Sequence, residues 1–465
     1  MLSIITPIGW FFLVGIVACL VGSPRSLIWL MAIALPFSHT AMLVVGSNGL
    51  SPFWCVALVA VGRLFYLQFR RTRNLRRARR ARGAQALSLT GSTLALLFFG
   101  AYALLITAVG PALFEGVGVI TPRGGLDSQI DNFTPLTYTT SNVAQTAYVT
   151  VGVLLVMYLI TEPPRSIRVI EAAIVTGFAL TLFKHFLPDS WPQEWFDSNP
   201  SYYYHWIFDG ARERGPFAEP SLMGMFLGMS LAYLVASFWR ASLVTRVFYS
   251  ALIGIGVYLY SVSYTGTALL ALGSVAGAAV LYGLWRIIRY GTKQVRIYFA
   301  SAFALITLIV FVFWNVVSKY TLDIVVEKLG SDSFANRNAS NVNSFRVLLD
   351  SFGLGVGLGS DRPSSLFFVL LSCVGIVGTL LFMRATAGYL AYGLRTPSVS
   401  PIAWAFMAQL IAQLVAKPDI SMPGLWLLMG VLAASYNARE VGFDTEKENV
   451  QPTFKERIGT LIRFP

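Results

Sequence analysis

The sequence predicts an all-α fold, a polytopic transmembrane bundle of about 12–13 spans with long loops on one side. Three observations predict it. Of 465 residues, 55% are hydrophobic and only 12% charged, against about 25% charged in an ordinary soluble domain. Uncharged apolar runs of about 20 residues, each enough to cross the hydrocarbon core of a bilayer, recur along nearly the whole chain. The runs are continuous in Leu, Val, Ala and Phe rather than apolar at every second position, which argues against a transmembrane barrel.

In chain order, the opening MLSIITPIGWFFLVGIVACL lacks the basic start and small-residue cleavage site of a secretory signal and reads as a retained first span. Spans are expected near 4–22, 25–46, 50–69, 87–109, 146–161, 169–186, 219–238, 246–262, 264–285, 297–317, 364–386, 399–416 and 422–437. Pro36 and the run Gly46-Ser47-Asn48-Gly49 interrupt the second, so a hairpin of short helices is the alternative there. Orientation follows from RRTRNLRRARRAR, which carries eight arginines between Arg70 and Arg82 and marks a cytoplasmic loop under the positive-inside rule. Working outward from it, the segments on that side hold 23 basic residues and the opposite side nine. The formal charge of +13 thus belongs to membrane anchoring and anionic headgroups, with nucleic acid not implied. Residues 1–437 form one transmembrane domain and 438–465 a cytoplasmic tail. Cys19, Cys55 and Cys373 each lie in an apolar run, as packed or lipid-facing thiols with no partner at metal or redox spacing.

The outer side carries the three long loops, 110–145, 187–218 and 318–363, and function is expected there. RERGPFAEPS, Arg212 to Ser221, stands directly before a span. Pro220 suits the first helical position and puts Glu219 at the cap, where the positive end of the helix favours an ionised carboxylate and attracts phosphate. Gly224 and Gly228 make a small-xxx-small pair for a neighbouring helix. The preceding loop is rich in Trp and Tyr, with His185 at its membrane entrance and His205 near its end. An interfacial aromatic belt explains such a loop, and a sugar-stacking platform uses the same residues. No second His at i+4 or acidic cluster accompanies His205, so no metal site is expected. In the last loop Arg337 and Arg346 are nine residues apart. Gly353, Gly355, Gly357 and Gly359 follow without the strand or Lys-Ser of a nucleotide loop and read as a flexible, exposed turn that passes close to the next span. Arg63 and Lys184 are the main charges near span interiors, too few for the ion path of a transporter, and Lys184 is expected to snorkel outward.

Arg-x-Arg-Gly-Pro-Phe-x-Glu-Pro-Ser ahead of a span, then Asn-Ser-Phe-Arg in a long outer loop and Gly-x-Gly-Leu-Gly-Ser before Gly-Ile-Val-Gly, resembles the O-antigen ligase and polymerase superfamily. The closer likeness is to the Wzy-type polymerases of O-antigen and exopolysaccharide. Ligases of the superfamily carry a histidine in the large late loop, and this sequence has none between 318 and 363. The resemblance implies a GT-C-like architecture in a bacterial inner membrane and a glycosyltransferase acting at its periplasmic face. Donor and acceptor would be glycans linked to undecaprenyl diphosphate, with a flippase and a chain-length regulator as partners and no cofactor. The leaving group is then a lipid diphosphate, whose developing charge guanidinium groups stabilise without a metal. Arg214 and Arg346 are the catalytic candidates, with Arg212 and Arg337 binding substrate. Glu219 is the expected base, with Glu213 and His205 as substrate-binding residues and alternative bases. One displacement suffices, so inversion is expected. Transfer to another acceptor, as a ligase does, is the nearest alternative.

Overall fold

Several of the apolar runs open on a local start signal. The computed structural model describes residues 3–78, 89–120, 133–201, 212–263, 266–290, 332–415 and 419–440. The expected span 297–317, His205 and the tail beyond 440 lie outside these residues. Helix α1 (Pro7–Val21) starts on a proline behind Thr6, whose hydroxyl accepts the Gly9 amide. The second run does not cross as one span. It forms a short helix, α2 (Leu27–Ala34), and then an antiparallel hairpin of β2 (Leu43–Val45) and β3 (Asn48–Leu50), with β1 (Ser3–Ile5) pairing along the other edge of β2. Pro36 has no N–H to continue the helix, and Gly46, at φ 61°, turns the hairpin.

Helix α3 (Pro52–Ala78) runs past the expected end at 69, because arginine, leucine and alanine are good helix formers and carry it on as a basic helix. Helix α4 (Gly91–Leu113) is capped by the Thr90 hydroxyl. A small hairpin of β4 (Gly118–Ile120) and β5 (Phe133–Pro135) follows. Helix α5 (Thr140–Thr161) starts earlier than 146, since the Asn142 side chain reaches back to the Thr139 amide. Then come α6 (Val169–Phe186), the one-turn α7 (Gln193–Phe196), α8 (Pro220–Phe238), α9 (Leu243–Ser263) and α10 (Gly266–Tyr290). The last four are α11 (Asp332–Asp350), α12 (Leu366–Arg395), α13 (Ser400–Val415) and α14 (Pro423–Glu440).

Seven described helices, namely α3 over 52–70, α4, α5, α6, α8, α9 and α12, are long and apolar enough to cross a bilayer. That is the makeup of a multi-pass membrane bundle. The seven carry large exposed apolar side chains outward, among them Phe65, Phe98, Leu105, Leu380 and Met383, where lipid would meet them. Helix α8 lies inside the bundle, with 78% of its apolar window buried against 22% for α9. A Cβ on its Gly228 would touch Ala271 of α10 at 3.4 Å, the close approach that the paired small residues predict.

Polar contacts pin the helices at both ends. At one end Glu171 of α6 accepts the hydroxyls of Tyr233 on α8 and Tyr249 on α9, and Asn437 of α14 accepts the Thr90 amide before α4. There too Arg63 holds Glu162 with two hydrogen bonds of 2.7 and 2.8 Å. The opposite end gathers the long loops.

Two expectations for the last loop are corrected. Its described centre is a helix, α11, and residues 355–361 are buried rather than exposed. Helix α12 breaks at Gly375 (φ 64°, ψ −170°), which would orphan its backbone groups. The glycine run crosses at the break and supplies their partners: Val356 and Gly357 donate to the carbonyls of Ser372 and Cys373, and Ile376 donates to that of Gly353, all at 2.9 Å. A Cβ on Gly355 would lie 2.5 Å from the Gly375 nitrogen, so the crossing needs glycine. It is close to the next span, as expected, and held rather than flexible.

Candidate functional site

The loop-rich end of α6 and α8 holds a knot built from three distant segments. Residues 39–50, 188–201 and 213–219 are tied by backbone bonds from His39 to the Pro216 carbonyl and from Asn199 to the His39 carbonyl. Thr40 and Ala41 add side-chain bonds to Phe196 and Ser198. At its centre Arg214, 2% exposed, places Nη1 3.2 Å and Nη2 2.9 Å from the two oxygens of Asp197 and donates to the Phe217 carbonyl. The Nδ1 of the fully buried His39 lies 2.9 Å from Asp197 Oδ1 and 2.7 Å from Arg214 Nη1. One ring nitrogen cannot donate to the carboxylate and accept from the guanidinium at once, so the two contacts alternate with the tautomer.

Lys184 reaches the same carboxylate, its Nζ 3.8 Å from Asp197 Oδ2 and 5.5 Å from the centre of the Trp191 ring. The ammonium thus reaches past the end of its helix, as expected, and meets a buried carboxylate there. Trp191 donates to Asp197 and stacks on Phe196, so it is a wall of the knot and offers no face to a sugar. Burial alone pushes the Asp197 carboxyl up. The His39 hydrogen bond and the charges of Lys184 and Arg214 outweigh it and hold the group well below the usual carboxylate range.

The turn through RERGPFAEPS is fixed by this knot. Gly215 sits at φ 55°, and the Thr181 hydroxyl occupies the place that a Cβ would need. Glu213 accepts the amides of Arg214 and Gly215 on Oε1, and its Oε2 lies 3.2 Å from His185 Nδ1. The other ring nitrogen of His185 is 2.8 Å from the Tyr258 hydroxyl on α9. Glu219 is half-buried at the start of α8 as expected, with Pro220 in the first turn. Its side chain accepts the Ser221 hydroxyl, with no side-chain bond to the helix amides.

The expected arginines take four different environments. Arg214 is inside the knot and Arg212 is exposed beside it. On α11, Arg337 is half-buried and Arg346 exposed. Nine residues are two and a half helical turns, which puts those two on opposite faces, about 14 Å apart along the axis. Both lie on α11, an element separate from the turn that carries Arg212, Glu213, Arg214 and Glu219. A second polar centre underlies α11. Asp361, 3% exposed, accepts the Ile120 amide at 3.1 Å and the Ser344 hydroxyl at 2.5 Å, and burial raises its pKa against these bonds. His39, Asp197, Tyr258 and Asp361 are the site residues missed from sequence. Apart from Trp191, six residues before Asp197, their side-chain partners come from other segments of the chain, up to 241 residues away.

No protein-family model matches the chain, and no curated protein matches it.

Proposed function

We propose that the chain is a glycosyltransferase of the bacterial inner membrane that polymerises lipid-linked repeat units at the periplasmic face. The observation that carries this reading is the pinned turn at the head of α8, which holds an exposed arginine, Arg212, and a half-buried carboxylate, Glu219, on one fixed segment at the loop-rich end. A cation and a proton acceptor at a membrane surface are what displacement of a lipid diphosphate by a sugar hydroxyl requires. The resemblance of this segment to the polymerases names the donor, a glycan on undecaprenyl diphosphate.

In this reading Arg212 meets the diphosphate as its negative charge develops. Arg214, its fork taken by Asp197 and Phe217, positions the turn that carries Arg212. Arg346 is exposed on a separate element, where it can meet a second part of the same long substrate. The acceptor proton passes to one of the ionisable groups at the same end, Glu219, Glu213 or His185.

A transporter would also use a broken helix with a nearby buried carboxylate, as α12 and Asp361 supply. The Asp361 oxygens are already met by an amide and a hydroxyl, however, and Arg63 and Lys184 both face carboxylates.

The test is transfer by the purified chain in lipid vesicles, given an undecaprenyl-diphosphate repeat unit. Ladders of lengthening lipid-linked product are expected. Arg212→Ala should cut the rate by about 100-fold or more, the scale of losing one transition-state donor. No product from wild type, or full rate from Arg212→Ala, sinks the reading. Product only on an added foreign acceptor would make the chain a ligase.

A further inference from the structure

We propose that His185 is the proton acceptor of this transfer, with Glu213 as its positioning residue and Tyr258 holding the place of the acceptor sugar's hydroxyl. The inference rests on the glycosyltransferase reading and deepens it. A carboxylate can only accept a hydrogen bond when ionised, so the contact between Glu213 Oε2 and His185 Nδ1 at 3.2 Å puts the ring proton on Nδ1. The Nε2 lone pair then faces the Tyr258 hydroxyl, which donates to it at 2.8 Å. A carboxylate that fixes the tautomer, an imidazole, and a hydroxyl on the far nitrogen form the base-and-orienter arrangement by which enzymes deprotonate alcohols.

Three features separate this from a staple between helices. Glu213 is itself immobilised, because its other oxygen accepts two backbone amides at 3.0 and 2.7 Å. The imidazole is not sealed in: its side chain is 27% exposed and Tyr258 is 38% exposed, so a sugar can approach the edge where the phenol now sits. The phenol lies flat against Phe186, ring planes 1° apart and centroids 6.0 Å apart, which offers a surface along which an incoming ring can slide. Glu213 also adjoins Arg212 in the chain. One pinned turn therefore positions both the cation for the leaving group and the group that orients the base.

In the step, the acceptor hydroxyl oxygen forms a bond to the anomeric carbon of the donor. The bond from that carbon to the diphosphate oxygen breaks, and its electron pair leaves with the lipid diphosphate. The hydroxyl proton goes to His185 Nε2, giving an imidazolium beside Glu213 that returns the proton to water.

The experiment uses the full chain in vesicles with the undecaprenyl-diphosphate repeat unit as donor and acceptor. His185→Gln is the decisive variant, since an amide can bridge Glu213 and Tyr258 but cannot take up a proton at neutral pH. A fall in kcat of about 100- to 10,000-fold is expected, the usual worth of a general base. His185→Ala should be equally slow and partly restored by added imidazole. Glu213→Gln should slow wild type by about 10- to 100-fold yet add nothing in the His185→Gln background, where a purely structural role would add its full effect. Turnover of His185→Gln near wild type, no imidazole rescue, or additive loss with Glu213→Gln overturns the assignment, as does a Glu219→Gln enzyme that stops while His185→Gln does not. A wild-type chain that transfers nothing from the lipid diphosphate fails the functional reading instead, so the two failures are told apart.

Discussion

Asp197 and Asp361 are buried to nearly the same degree, 1% and 3% exposed, and meet that burial by opposite means. Around Asp197 the fold assembles Arg214, Lys184, His39 and Trp191, so the carboxylate keeps its charge and ties the loop-rich ends of α6 and α8 to the segment after α2. Around Asp361 it assembles an amide from the β4 hairpin and a hydroxyl from α11, and no cation faces it among the described residues. The first is a charged anchor whose partners fail together if one is removed. The second is a polar peg that tolerates a neutral substitute. The contrast also corrects a natural reading of the Arg-x-Arg motif: of its two arginines, one is a structural partner deep in the knot and only the other faces outward.

The largest expected effect makes that contrast measurable with one substitution at two sites. Asp197→Asn leaves Arg214 and Lys184 buried against a neutral amide, and breaking a buried pair in this way costs about 3–5 kcal/mol. Little folded protein should be recovered in detergent. Asp361→Asn keeps an acceptor for the Ile120 amide, and the Ser344 hydroxyl can rotate to accept from the new NH2 group. Its cost should stay near 1 kcal/mol or less. Thermal unfolding of both variants side by side is the measurement, and equal losses would erase the distinction between anchor and peg.

A pH series sharpens it further. The folded Asp197 carboxyl is held below its unfolded value, so its contribution is complete above about pH 4 and is lost as pH falls below that. The folded Asp361 carboxyl is raised above its unfolded value by burial. Its contribution is therefore complete below about pH 4 and is lost as pH rises through the folded value. Wild type should lose stability on acidification because of the anchor. The gap between Asp361→Asn and wild type should move in favour of the variant as pH rises from 4 to 8. A gap that stays flat would mean that Asp361 keeps one protonation state throughout.

Much of the fold was legible because it rests on local chemistry. The apolar runs, Pro220 opening α8, Glu219 at its cap and the small residue at Gly228 all followed from spacing and from residues within one turn of one another. Over 25–46 hydropathy does not distinguish a span from a short helix followed by a hairpin; Pro36 and Gly46 mark the interruption, but not that the hairpin is of strands rather than helices. The site was legible only in part. RERGPFAEPS announced itself, but the residues that decide what each member does are remote: Asp197 reaches Arg214 across a loop, His39 across 175 residues, and Tyr258 meets His185 from another helix. Charge pairing over such separations leaves no periodic trace in one sequence. The glycine run was read as loose for the same reason, since its partner, the break at Gly375, is created by the fold.

The smallest effect lies within Asn-Ser-Phe-Arg, where Ser344 stands two residues before Arg346. Its hydroxyl donates to Asp361 at 2.5 Å. The serine thus docks α11 on the peg and sets the rotation of the helix that presents Arg346 outward. Ser344→Ala should cost about 1 kcal/mol, the net worth of one buried hydrogen bond. In an Asp361→Asn background the loss should shrink, because the two groups act as one contact and their effects do not add. Thermal midpoints of the two single variants and the double give the coupling directly. Full additivity would mean that Ser344 serves α11 through its own helix, where it also donates to the Ser340 carbonyl at 3.1 Å, and that Arg346 owes its orientation to something other than Asp361.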